Sequence, residues 1–278
     1  MASYNDNLSP PQPPSRVYYS TGRMLGVEDF QAEQDYHRGR LARALLQLHG
    51  AGTVSGLKVQ TDGNTDLTQL EIQVTPGIAL DRVGRIIEVP RLVCIRIQNW
   101  LAQQTDSDLS LAFKGTFLMV DVFATFVACT RGATPCFASQ DDYDATDAFS
   151  PNRLLDSFAM QLVLRTDATP KLPVDPWLAT GPVSTPGVNP THPTPTELKQ
   201  SILDATAGPG AGPAEYPPLF DATSVFLARM QIAATQGAPG ARPAADLTNI
   251  SIDNLSRLFL YPSSLLARWT GLGSGTES

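Results

Sequence analysis

The chain has 278 residues, enough for one large domain or two small ones, and 42% of them are hydrophobic, an ordinary share for a packed core. Its net charge is −7 and its pI about 4.9. That balance argues against nucleic acid as a main partner, because duplex binding needs clustered Lys and Arg to displace counterions. Arg38, Arg40 and Arg43 do gather, but Glu33 and Asp35 sit beside them, as on a solvated, salt-bridged helix face. Three cysteines, Cys94, Cys129 and Cys136, make no secreted disulfide framework and fit a reducing compartment. Cys129 and Cys136 flank a short loop that a disulfide could close. The start, MASYNDNLSPPQPPSR, lacks the apolar stretch of a signal peptide. No window approaches the ~20 apolar residues of a membrane helix.

Residues 1–15 form an extended, proline-rich arm. Pro10, Pro11, Pro13 and Pro14 favour polyproline conformation, and the arm has too little apolar content to pack a core. It is expected to be disordered alone, which makes Pro11, Pro13 and Pro14 candidate contacts to a neighbouring subunit.

A helix is predicted over 27–49. Glu28 and Asp29 suit the positive end of its dipole, and Gly50 and Gly52 end it. Its apolar stripe is Val27, Phe30, Leu41, Leu45 and Leu48, with Gln34 and His37 falling on the same line.

Strands are expected next. One covers 54–60, and a turn follows at Asp62, Gly63 and Asn64. Leu70, Ile72 and Val74 alternate with polar residues, as in a half-buried strand. Short strands at 78–81, 85–89 and 92–97 come after the Pro76-Gly77 turn, and a short helix starts near Trp100. The apolar run at 116–129, interrupted by Asp121 and Thr125, reads as a long buried strand.

The segment 131–150 reads as loop, and a further strand covers 158–165. Prolines dominate 166–195, an irregular excursion with a small helix near Trp177. A helix is predicted at 196–205, then loop at 208–218. A strand follows at 224–233, then strand and turn at 250–261, and a short helix at 265–269. The expected fold is α+β and β-rich: an N-terminal helix packed on a mostly antiparallel sheet, with long proline-rich loops and short C-terminal helices. The units are the arm, a core domain at 16–165, a proline-rich insertion at 166–221, and a C-terminal part at 222–278 that completes the core. Long proline-rich loops in a compact chain usually make contacts or carry function.

The search for chemistry is mostly negative. There is no G-x-S-x-G, no P-loop and no G-x-G-x-x-G. His37 and His49 stand twelve apart, not the four of H-E-x-x-H, and both read as structural; His192 has no visible role. Asp62-x-Asn64-x-Asp66 begins like a calcium loop, but Leu67 and Gln73 stand where its glycine and bidentate glutamate belong. It reads as a polar hairpin tip. The acidic patch Asp141, Asp142, Asp144 and Asp147 lacks the same features and reads as a solvated loop. No metal or cofactor is expected.

A compound pattern spans residues 18–89. It runs Tyr18-Tyr19-x-Thr21-Gly22-x-Met24-Leu25-x3-Asp29-Phe30-x2-Glu33-Gln34-x-Tyr36, then Leu48-His49-Gly50-x-Gly52-x-Val54-x-Gly56-Leu57-x-Val59. It ends in Val74-x-Pro76-Gly77-x-Ala79-x-Asp81-x2-Gly84. This pattern resembles small structural proteins encoded with contractile injection systems, the phage-tail-like particles. Arg153-Leu154-Leu155-Asp156-x-Phe158 and Ile252-Asp253-Asn254-x2-Arg257 resemble later parts of the family more loosely; 166–218 has no counterpart.

The resemblance implies a structural role at or near the baseplate and brings no catalytic residues. It implies neighbouring subunits around a sixfold or threefold axis. It also implies a cytoplasmic particle, with peripheral contact to an internal membrane such as the thylakoid as one option. Two other classes stay open. A carbohydrate- or receptor-binding module of a tail fibre would use Trp177 and Tyr216 on loops. A cell-wall or polysaccharide hydrolase would need two facing carboxylates in a cleft.

Overall fold

The computed structural model describes residues 15–132, 134–135, 149–150, 152–173, 196, 215–217, 219–238 and 240–269. The arm residues Pro11, Pro13 and Pro14, the loop residue Trp177, Cys136, His192 and the acidic patch at 141–147 lie outside them. The fold is α+β with strands dominating, as expected.

After helix α1 (Val27–His49) the chain forms β1 (Gly52–Gly56), β2 (Val59–Thr61), β3 (Glu71–Val74), β4 (Gly77–Leu80), β5 (Ile86–Val89) and β6 (Val93–Arg96). These six make two small antiparallel sheets, ordered β1-β4-β5 and β2-β3-β6. Two short helices follow, α2 (Ile97–Ala102) and α3 (Asp106–Ala112). Sequence reasoning did not place α3, although Thr105 carries its start signal and caps it by accepting the Asp108 N–H.

The main sheet is built from β7 (Phe117–Arg131), β10 (Arg153–Leu164), β11 (Val225–Thr235) and β12 (Ala244–Asp253). Its order is β10-β7-β11-β12, all antiparallel, so the C-terminal strands complete the sheet begun by β7. Two-residue strands β8 (Thr134–Pro135) and β9 (Phe149–Ser150) pair with each other within the stretch expected to be loop. The last of the described elements is α4 (Ser263–Trp269).

Strand β7 is covered on both faces. Leu118, Val120, Val122, Ala124, Phe126 and Ala128 point, at period two, into the main apolar core, which they share with the small sheets and with β11. The intervening Asp121, Phe123 and Thr125 face the other way and are buried as well. Segments 165–173, 215–217 and 219–224 cover that second face. A bulge in β11 between Phe226 and Ala228 sets Phe226 opposite Phe123 and Arg229 opposite Asp121.

The polar loop at 62–69 joins β2 to β3. Asp62, Asn64 and Asp66 turn their side-chain oxygens onto their own backbone, accepting from the N–H groups of Asn64, Asp66 and Thr68. These oxygens make a chain of local turns rather than a converging cage.

Helix α1 departs from expectation. The sequence stripe was expected to face the sheet, yet Val27, Phe30, Leu41 and Leu48 are 68%, 53%, 57% and 77% exposed. The residue the helix buries is Ala42, off that stripe. Ala42 lies against Gly84, in the β4–β5 turn, where a Cβ would stand 2.0 Å from the Ala42 carbonyl oxygen and φ is +87°. Replacing Gly84 with Ala should therefore lever α1 off the body, at about 1–3 kcal/mol of backbone strain alone. Limited proteolysis should cut within 27–49 faster in Gly84→Ala than in the parent; equal rates would show that this contact does not hold the helix.

Candidate functional site

The motif residues at 18–36 build a local cap for α1. Gly22 takes a left-handed φ of +84°. The turn there lets Arg23 donate to the Tyr18 carbonyl and pair with Asp29 at 3.0 Å. Asp29, in the first turn of α1, also accepts the Gly26 N–H, satisfying an end donor the helix cannot pair itself. The Tyr19 hydroxyl donates to the Glu33 carboxylate, and His37 stands 3.8 Å from Glu33 one turn on. The hydrogen bond to Glu33 raises the pKa of Tyr19. The Tyr36 ring meets the His37 ring edge-on, centroids 5.4 Å apart.

Around this cap the surface is apolar. Tyr18, Tyr19, Met24, Leu25, Val27 and Phe30 are all exposed, and Leu41 and Leu48 continue the patch along the helix. Gln34 is exposed on the same line. His49 is exposed at the end of α1, and Gly50 donates to the Leu46 carbonyl to close it.

The remaining motif residues hold the small sheets together. Gly52 and Gly56 lie in β1, and Gly77 pairs with Gly56 across β4. A Cβ at Gly56 would stand 2.0 Å from the Pro76 carbonyl oxygen, and its φ is +61°. Asp81 is fully buried; it accepts from the N–H groups of Val83 and Arg85 and pairs with the Arg85 guanidinium at 2.6 Å. Burial raises the Asp81 pKa, with Arg85 opposing.

Two separated motifs meet in space. The Asn254 side chain accepts the Val59 N–H and donates to the Val59 carbonyl, both at 2.9 Å. Arg257 donates to the carbonyl of Leu57 at 2.7 Å, a residue itself held at φ +55°. Thus Asp253-Asn254-x2-Arg257 is a clamp on Gly56-Leu57-x-Val59. Burial lowers the Arg257 pKa to about 10, with Asp253 opposing. The earlier Arg153-Leu154-Leu155-Asp156 motif lies at the exposed start of β10.

Under the second face of β7 lies an ionic network that sequence reasoning missed. Asp121 accepts two hydrogen bonds from Arg229, at 2.8 and 2.9 Å, and pairs with Arg165. Arg165 also forks onto Asp167 and donates to the Glu215 carbonyl; Arg229 donates to the carbonyls of Pro170 and Lys171. Arg82 pairs with Glu215. The network therefore staples two irregular segments to the sheet. Asp121 was visible only as a break in an apolar run, because Arg165 and Arg229 lie 44 and 108 residues away.

Tyr216, expected on a loop as a partner contact, is half-buried in this network. Its ring stacks near Phe123, centroids 5.6 Å apart; its hydroxyl donates to the Ser224 carbonyl and accepts from Arg82. Burial raises its pKa from 10 to about 12, Arg82 opposing. A raised value stabilises the fold fully below pH 10, and that contribution is lost as pH climbs to about 12. Alkaline absorbance titration should reveal a late-ionising tyrosine that disappears in Tyr216→Phe; a titration unchanged by that substitution would contradict the placement.

Among the described residues no three His, Cys, Asp or Glu side chains gather as a metal set. An open groove of about 640 Å³ runs between Phe113, Thr116, Gln236 and Ala244, and its lining holds a single carboxylate, Asp246. No helix among the described residues is long and apolar enough to cross a membrane.

No protein-family model matches the chain, and no curated protein matches it. Among solved structures, a crystal structure of TssK is similar over 84% of this chain and 41% of that one, with 10% identity and a TM-score of 0.32. The chain thus spans less than half the length of that protein.

Proposed function

We propose that this chain is a non-enzymatic structural subunit of a contractile injection system, seated at or near the baseplate. The observation that carries this reading is the number of large apolar side chains left exposed between Tyr18 and Leu48, in two groups parted on the helix by Gln34 and His37. Large apolar patches on a soluble chain mark interaction sites, because leaving them in water forfeits about 25 cal/mol per Å². The resemblance of the 18–89 pattern to injection-system proteins supports the particle. Its residues act as helix cap, turn glycines and clamp, all folding roles, and none forms a reactive constellation.

The partners are neighbouring copies or other subunits around a sixfold or threefold axis, with no nucleic acid and no cofactor. Contact with an internal membrane would be peripheral. The tail-fibre reading loses support, since Tyr216 is occupied inside the protein.

The test is to tag the chain in its native host and isolate particles that contain sheath and tube subunits. The chain should sediment with them in a fixed, repeated stoichiometry. Intact particles free of the chain would refute the reading.

A further inference from the structure

The stripe on α1 has a regular period. Val27, Phe30, Gln34, His37, Leu41, Ala44 and Leu48 follow one another at alternating steps of three and four. That is the a/d seam of a coiled coil over about three heptads. Every one of the seven is exposed, whereas the residues drawn toward the body, Gly39, Ala42 and Leu46, lie off the seam. The helix docks by one side and presents a complete seam on another.

We propose that this seam is covered by the same helix of a second copy of the chain, parallel and in register. Two features select that occupant. In register, like meets like: Val27, Phe30, Leu41 and Leu48 meet their own copies, and Gln34 and His37 meet theirs in two adjacent central layers. A polar residue at a seam position is a known way to fix register at some expense of stability. Charge agrees as well. Glu33 and Arg38, five residues apart at the g and e positions, form the interhelical pair of a parallel arrangement. An intrachain partner of Arg38 does not exhaust its five donors.

This deepens the subunit reading by naming one neighbour, but it is tested without the particle. The full chain should sediment at micromolar concentration as a multiple of 29.9 kDa. Leu41→Glu combined with Leu48→Glu should reduce it to that mass. Both side chains are exposed, so far-ultraviolet circular dichroism and the thermal midpoint of the monomer should stay those of a folded protein. In a background with the three cysteines replaced by serine, Gln34→Cys should crosslink to itself under mild oxidation. Ala32→Cys, on the far side of the helix, should not.

A monomeric parent chain, an unchanged mass in the double variant, or Gln34→Cys crosslinking no faster than Ala32→Cys would each overturn the proposal. A self-associating chain that is missing from particles would refute the particle reading alone. A particle in which another protein covers α1 would refute this proposal alone.

Discussion

Asp121→Ala is expected to destabilise the protein by about 3–5 kcal/mol, the usual loss when one partner of a buried ion pair is removed. The carboxylate is fully buried between Arg165 and Arg229, which are themselves 1% and 8% exposed. Removing it leaves two guanidinium groups facing each other with no carboxylate between them. Those groups also hold the carbonyls of Glu215, Pro170 and Lys171, so segments 165–173 and 215–217 should loosen together. Urea denaturation measures the loss, and hydrogen exchange locates it. Asp106→Ala is the contrast. Asp106 pairs with Arg242 on the surface, both more than a third exposed, and its loss should cost no more than about 1 kcal/mol. Equal effects for the two would mean that the buried network is not what anchors these segments.

Gly56→Ala should be comparably severe for a different reason. It combines about 1–3 kcal/mol for a non-glycine residue in the left-handed region with about 1–3 kcal/mol of overpacking. The overpacking arises because the new methyl group would meet the Pro76 carbonyl oxygen at 2.0 Å and the Gly77 Cα at 2.9 Å. Neither neighbour can rotate away, since both are backbone atoms where the chain enters the facing strand. Gly63→Ala separates the two effects. Gly63 has a φ of +71° and nothing within 4 Å of its would-be Cβ, so only about 1–2 kcal/mol of conformational strain is expected. A Gly56→Ala loss no larger than that of Gly63→Ala would show that β1 and β4 tolerate separation.

Much of this architecture was legible where the signal is local. The period-two alternation at Leu70, Ile72 and Val74 located β3, and the apolar run after Thr116 located β7. Gly50 and Gly52 marked the end of α1, and Pro76-Gly77 marked the turn into β4. What was not legible depends on distance along the chain. No window contains both Asp121 and Arg229, so a break in an apolar run could not be recognised as an ionic anchor. Strand β12 begins at Ala244, before the stretch expected to be strand, because residues 244–249 alternate too weakly to stand out. Periodicity gave α1 its apolar line but carries no information on what covers that line. The helix therefore looked like a core element, and its seam proved open. The pairing of Asn254 and Arg257 with residues 57–59 joins groups 195 and 200 residues apart, and nothing local in the sequence pointed to it.

The claim on which the functional account rests is that α1 meets another polypeptide in the working assembly. Imaging the intact, sheath-bearing particle tests it most directly. The chain is expected there in several symmetric copies near the baseplate, with Val27, Phe30, Leu41 and Leu48 out of contact with solvent. A particle complete without the chain, or one holding it with those four side chains facing water, would contradict it.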